Sequence, residues 1–387
     1  MKKMKRSLFV FTLLALLILH SCSKDDITDD GYNRVVIIYF AANNNLSSYA
    51  ENNIESLSKG YIPGEESDDI LLVYSHTENN LPVLLRLYKD NSGSVKQDVV
   101  SNYEQQNSTT PEVLESVLDK VKVIFPAREY GLILWSHGTG WLPEDYYENS
   151  NQYGVQFPDP YAHMVKSFGY EDGVEMDIKD LSNAIPYHLS FIIFDCCLMG
   201  GIEVAYEIKD KCDYIVASPA EILATGFPYD KVVEPLFEKK ANLEEVCERY
   251  YDFYNSQSGV YRSATIALYN TEKLETLASV CRNIFAANRD KLPALPVKNI
   301  QGYFRLNKHW FYDLEDFVSQ FASQEELLQF NNALSQVVTT KFYTPIFLDL
   351  TISRYSGIST YVPSNGSAYL DNYYKGYKWN TATQMIK

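Results

Sequence analysis

The 387-residue sequence predicts an α/β protein with a mostly parallel central sheet and helices on both faces. Two observations carry that prediction. Apolar, β-branched runs recur along the chain, and stretches with helical spacing of apolar residues alternate with them. A third observation gives the sheet a working edge. One apolar run, Tyr130 to Trp135, ends in Ser136, His137 and Gly138. Another, Phe191 to Asp195, ends in Cys196 and Cys197. In open parallel sheets, sites form at the carboxyl ends of strands, where both reactive groups would fall.

Composition supports a folded chain, with 46% apolar and 22% charged residues. The formal net charge of −16 excludes a nucleic-acid partner or an anionic-membrane surface, since both need clustered Lys and Arg. The six cysteines (Cys22, Cys196, Cys197, Cys212, Cys247 and Cys281) show no C-x-x-C pair and no repeated spacing. Neither a zinc site nor a disulfide framework is expected, and Cys212, Cys247 and Cys281 read as buried small hydrophobes.

The first residues read as an address. Lys2, Lys3, Lys5 and Arg6 precede the apolar stretch Leu8 to Leu19. Roughly a dozen residues are too few to span a bilayer but suit an export signal. The signal ends in Leu19, His20, Ser21 and Cys22, which resembles a bacterial lipoprotein signal and implies cleavage before a lipidated Cys22. Ser23, Lys24, Asp25 and Asp26 follow and look like the surface-export tag of Bacteroidetes lipoproteins. Residues 22–33 then read as a tether, and the expected location is the outer membrane, facing out.

The body follows in order. Arg34 to Phe40 is a buried strand by its β-branched run, and a helix starts near Ser47 or Ser48 with Ser and Asn as caps. Asp69 to Tyr74 is a second strand, with Leu81 to Tyr88 as a hairpin arm. Thr110 and Pro111 open a helix from Glu112 to Ile124. After the His137 strand, Pro143 to Glu175 is polar and Tyr-rich without periodicity, an excursion of the kind that accompanies a site. A short helix over 177–184 precedes the cysteine strand, and Ile202 to Ile208 has helical spacing. Cys212 to Ser218 is a further strand, a helix covers 242–254, and Ser263 to Tyr269 is a sixth strand. Helices over 271–288, 313–321 and 324–338 and a strand from Ile358 to Val362 complete the chain. Domains are expected at 34–270, with a C-terminal α+β region over 271–387.

His137 reads as a general base because Ser136, Gly138 and Gly140 clear space and expose backbone N–H groups around it. His76, His163, His188 and His309 lack that setting. A thiol between a strand end and a helix start is expected to sit near backbone N–H groups and the positive helix end, which favour thiolate. Cys196 and Cys197 face different directions, and the residues alone do not choose between them.

These two stretches resemble the clostripain-like cysteine peptidases, a family with the caspase-type fold of gingipains and legumains. The family's strand-His-Gly is matched by Leu132 to Trp141, and its Asp-x-Cys-x-Met-Gly by Asp195, Cys196, Cys197, Leu198, Met199 and Gly200. Agreement extends to Val36–Tyr49, Ser218–Glu221 and Gly357–Pro363. The resemblance implies a caspase-like α/β/α sandwich and an endopeptidase that cuts after Arg or Lys. It places the nucleophile at Cys197, the base at His137, and the oxyanion hole at the N–H groups of Gly138 and Cys197. It puts the acids that read a basic side chain at Asp195 first and Glu221 second, and self-cleavage at Lys166. No metal, calcium loop or other cofactor is implied. Two rivals remain. One is a surface-anchored binding protein that has lost catalysis, which the 31 tyrosines would suit. The other is an amidase or sortase-like transferase, although those place His and Cys in other orders.

Overall fold

The computed structural model describes residues 31–143, 146, 176–305, 310–363 and 366–387. The expectations for the export signal, Cys22, the tether, Lys166 and nearly all of the 143–175 excursion lie outside them. Tyr32–Lys387 forms one compact unit.

β1 (Tyr32–Ala42) is buried from Arg34 onward, as its run of Val, Ile and Phe dictates. Each such side chain contributes about 1.5–3 kcal/mol on burial. α1 (Ser47–Leu57) follows, then β2 (Asp69–Thr77), β3 (Val83–Lys89) and β4 (Val95–Asn102). α2 (Pro111–Ile124) leads to β5 (Ala127–Trp135), and α3 (Ile178–Ala184) to β6 (Leu189–Asp195). α4 (Ile202–Ile208), β7 (Cys212–Ala217), α5 (Tyr229–Val232), α6 (Leu243–Asn255), β8 (Thr265–Asn270) and α7 (Leu274–Ala287) come next. The C-terminal part holds β9 (Tyr312–Asp313), α8 (Leu314–Ser319), α9 (Gln324–Val337) and β10 (Val338–Tyr343). After β11 (Ile346–Phe347), β12 (Leu350–Thr351) and β13 (Ser359–Thr360) come α10 (Ala368–Tyr374) and α11 (Lys378–Thr383).

The main sheet has nine strands in the order β10-β8-β7-β6-β5-β1-β2-β3-β4. β2, β1, β5, β6 and β7 are parallel and form its centre. Connections from β1 to β2 and from β5 through β6 to β7 run in opposite directions across the sheet. Right-handed crossovers in opposite directions put helices on opposite faces. Accordingly, α1 packs with α5 and α5 with α6, while α2 packs with α3, α3 with α4, and α11 with both α4 and α7. The strand order reverses between β1 and β5. The connections leaving these two neighbouring strands go to opposite faces, the arrangement that opens a crevice at the carboxyl ends of a parallel sheet.

Three elements differ from expectation. Ser263 to Tyr269 does give β8, but it runs antiparallel to β7, so the parallel core stops at β7. β4 has no buried residue, and its exposed Lys96, Gln97 and Asp98 carry no apolar period that could announce it. β10 continues directly from α9 and pairs with β8, so the expected boundary at 270/271 is crossed by the main sheet. The cap expected on α1 is also absent: the N-cap is Leu46, and Ser47 Oγ instead accepts the Glu78 N–H.

Candidate active site

Register decides where the reactive groups meet. Trp135 at the end of β5 pairs with Asp195 at the end of β6. His137 and Cys197 each lie two residues further, so they leave neighbouring strands at the same height. Adjacent strands are about 4.8 Å apart, which starts the imidazole and the thiol side by side. Both are buried.

His137 is held from the β1 side of the crevice. Ser136 Oγ donates to the Ala41 carbonyl at 2.7 Å and pins the end of β5 to that of β1. His137 Nε2 lies 2.7 Å from Asn45 Oδ1. A carboxamide oxygen only accepts, so Nε2 carries the hydrogen and Nδ1 is the basic nitrogen of the neutral ring. The following loop is packed tightly. Gly140 has φ +63°, and a Cβ there would lie 2.6 Å from the Phe311 ring and 2.7 Å from the Leu198 carbonyl oxygen. Trp141 is buried beside Phe311, Tyr361 and Tyr374, and its carbonyl accepts the Tyr377 hydroxyl.

The two cysteines part company in the 196–201 loop. Cys196 Sγ points back to the Leu134 carbonyl at 3.2 Å. Cys197 Sγ receives the Ile222 N–H at 3.1 Å, a donor that suits a negative sulfur, and as a thiol can donate to the Ile222 carbonyl at 3.5 Å. α4 starts five residues beyond Cys197. The donor aimed at sulfur is therefore a loop N–H and not the expected helix terminus. Leu198 adopts φ +62°, a left-handed conformation that costs a non-glycine residue about 1–2 kcal/mol. The surroundings enforce it: Leu198 N–H donates to the Ala220 carbonyl and Gly200 N–H to Ser218.

Of the two acids, Asp195 is fully buried, and its Oδ2 accepts the Phe227 N–H and the Tyr229 hydroxyl, each at 3.0 Å. Glu221 is almost as buried, and both of its oxygens are held by Arg305. Cys196, Cys197, Cys212, Cys247 and Cys281 are in no disulfide. Burial pushes the thiols of Cys212, Cys247 and Cys281 well above the usual range, as packing residues require. Among the described residues, no group of three or more His, Cys, Asp or Glu side chains could hold a metal ion. No described helix is long and apolar enough to cross a membrane.

The model of the clostripain family (peptidase family C11) matches residues 38–384. The chain belongs to the clostripain family. It is 29% identical to clostripain of Hathewaya histolytica over 228 residues, which is 52% of this chain and 42% of that protein. The chain thus matches less than half the length of that curated relative. An inactive zymogen C11 protease from Parabacteroides distasonis is 34% identical, covering 90% of this chain and 97% of the other, with TM-score 0.78. A secreted C11 cysteine protease from Bacteroides thetaiotaomicron, in complex with an irreversible peptide inhibitor, is 26% identical. It covers 91% of this chain and 98% of its own length, with TM-score 0.76. These likenesses establish the caspase-like α/β fold.

Two residues in contact with candidate site residues of this clostripain-family chain, Asn45 with His137 and Arg305 with Glu221, escaped the sequence reading. Asn45 sits in a run of three asparagines after β1, a signal of turn chemistry that hid its partner on another strand. Arg305 lies far along the chain with no motif around it. The tyrosines also changed meaning: among those described, only Tyr61, Tyr261, Tyr343 and Tyr369 are exposed. The other described tyrosines are buried or half-buried, so most of them serve packing.

Proposed function

We propose that this chain is a cysteine endopeptidase that hydrolyses peptide bonds after Arg or Lys through a Cys197–His137 dyad. The β5–β6 register, which levels His137 with Cys197, carries the reading. His137 takes the thiol proton at Nδ1, and Cys197 Sγ attacks the peptide carbonyl carbon. The N–H groups of Gly138 and Cys197 hold the resulting oxyanion. His137 then passes its proton to the leaving amine as the C–N bond breaks, leaving a thioester. Water, deprotonated by His137, attacks the thioester, releases the acid and restores the thiol.

The acids proposed to read the basic side chain of the substrate are Asp195, at the end of β6, and Glu221, in the strand-end loop beside the thiol. The inhibitor-bound relative supports a peptide substrate. The relative described as secreted supports export, and the leader supports a lipid anchor at Cys22 and display at the outer membrane. The relative described as an inactive zymogen supports a maturation step, for which Lys166 is the proposed cut.

Arg- and Lys-ended fluorogenic peptides test the reading. Wild-type protein should cleave them, Cys197→Ala should lose at least about a thousandfold in rate, and Cys196→Ala should keep most of it. Activity that follows Cys196 instead would overturn the nucleophile, and no turnover by any form after maturation would return the chain to a binding role.

A further inference from the structure

We infer that Arg305 is a resident occupant of the acidic subsite, and that a substrate's Arg or Lys gains Glu221 only by displacing it. This rests on the basic-side-chain reading above. Arg305 Nε donates to Glu221 Oε2 and Nη2 to Oε1 at 3.2 Å, the two-point fork by which a guanidinium reads a carboxylate. A substrate arginine would make the same fork. The pair is sequestered, since the side chain of Arg305 is 1% exposed and that of Glu221 10%. It is also close to the chemistry. Glu221 directly precedes Ile222, whose N–H binds Cys197 Sγ, and follows Ala220, whose carbonyl holds Leu198.

The backbone two residues before Arg305 is anchored, so the side chain is delivered to Glu221 from a fixed point. The Tyr303 hydroxyl donates to the Asp313 carboxylate, and Tyr303 N–H donates to the Phe311 carbonyl at 2.8 Å. The Phe311 ring lies against Gly140 in the His137 loop. Arg305 Nη1 also lies 3.6 Å from Asp349 Oδ1, a half-exposed carboxylate that offers the displaced guanidinium a nearby partner. An occupant carried on the same chain acts at high effective concentration, so it weakens every basic substrate by one common factor. The residue thereby sets the affinity of the site without entering the bond-breaking step.

The test compares wild type, Arg305→Lys and Arg305→Ala on Arg- and Lys-ended peptides. Simple competition lowers KM by about tenfold or more in Arg305→Ala, by the same factor for both peptides, with kcat unchanged. Arg305→Lys, a one-point occupant, should fall between. A parallel measurement needs no turnover: agmatine, a small guanidinium, should protect Cys197 from iodoacetamide more strongly in Arg305→Ala than in wild type. A KM that rises or stays constant in folded Arg305→Ala, with agmatine protection unimproved, overturns the inference and leaves the peptidase reading intact. Cys197-dependent cleavage of uncharged-ended peptides alone, with no agmatine protection in any form, overturns the basic-side-chain reading and this inference with it.

Discussion

At the scale of single residues, the contact between His137 and Asn45 does what neither strand end could do alone. The Nε2–H···Oδ1 bond fixes the orientation and tautomer of the ring and leaves Nδ1 as its basic nitrogen. Asn45→Ala should therefore lower kcat by roughly ten- to a hundredfold with little change in KM, because orientation is lost but the base remains. In Asn45→Asp a carboxylate beside the ring favours imidazolium, so the acidic limb of the pH–rate profile, set by protonation of the neutral base, should move to higher pH. A profile that stays in place, with kcat unaffected by either change, would make Asn45 a bystander. His137 and Cys197 were legible in the sequence because each ends an apolar run that announces a strand. Asn45 was not, since its role arises from β1 lying beside β5, a pairing that no local pattern records. The choice between Cys196 and Cys197 was likewise hidden from residue type. It needs the partners: both sulfurs lie against a backbone carbonyl, and Cys197 Sγ receives a loop N–H as well.

At the scale of elements, the 196–201 loop is a rigid bracket between β6 and α4. Gly200 is the tightest point, because a Cβ there would lie 2.4 Å from Pro219 N and 2.5 Å from the Ser218 carbonyl carbon. Those are backbone atoms of the neighbouring strand end, so no side chain can swing aside. Gly200→Ala should cost about 1–3 kcal/mol and displace Cys197 as well. Thermal denaturation would show a lower Tm, and peptide cleavage would fall by more than the loss of folded protein explains. An unchanged Tm would mean that the loop yields. The central strands β1, β2, β5, β6 and β7 were readable because two-sided burial writes an unbroken apolar run. The edge strands were less so. β4 faces water and carries polar residues, and β10 alternates too briefly after a helix to be told from its end.

At the scale of the whole molecule, the C-terminal segments close over the back of the cysteine loop through one buried carboxyl group. Glu203, in the first turn of α4, accepts from Thr360 Oγ1 at 2.8 Å, Tyr361 N at 2.9 Å and the Tyr374 hydroxyl at 2.6 Å. All three bonds fall on Oε1, while Oε2 is buried without a partner. Burial is the dominant influence and raises its pKa above the ordinary carboxyl value, although those hydrogen bonds pull the other way. The sign of the linkage follows. The folded protein holds this proton more tightly than the unfolded chain, so its stabilising contribution is complete below the unfolded value of about 4.3. It is lost as pH rises from there through the raised folded value, at a slope approaching about 1.4 kcal/mol per pH unit. Glu203→Gln keeps the shape and removes the titration. Denaturant unfolding across acidic to neutral pH should show wild type losing stability relative to Glu203→Gln as pH rises. Parallel curves for the two proteins would mean that the carboxyl group ionises inside the fold as readily as outside it, its hydrogen-bond donors offsetting burial in full. Because the same group ties the helix after Cys197 to Thr360, Tyr361 and Tyr374, the position of the nucleophile and the closure of the C-terminal region are one structural commitment.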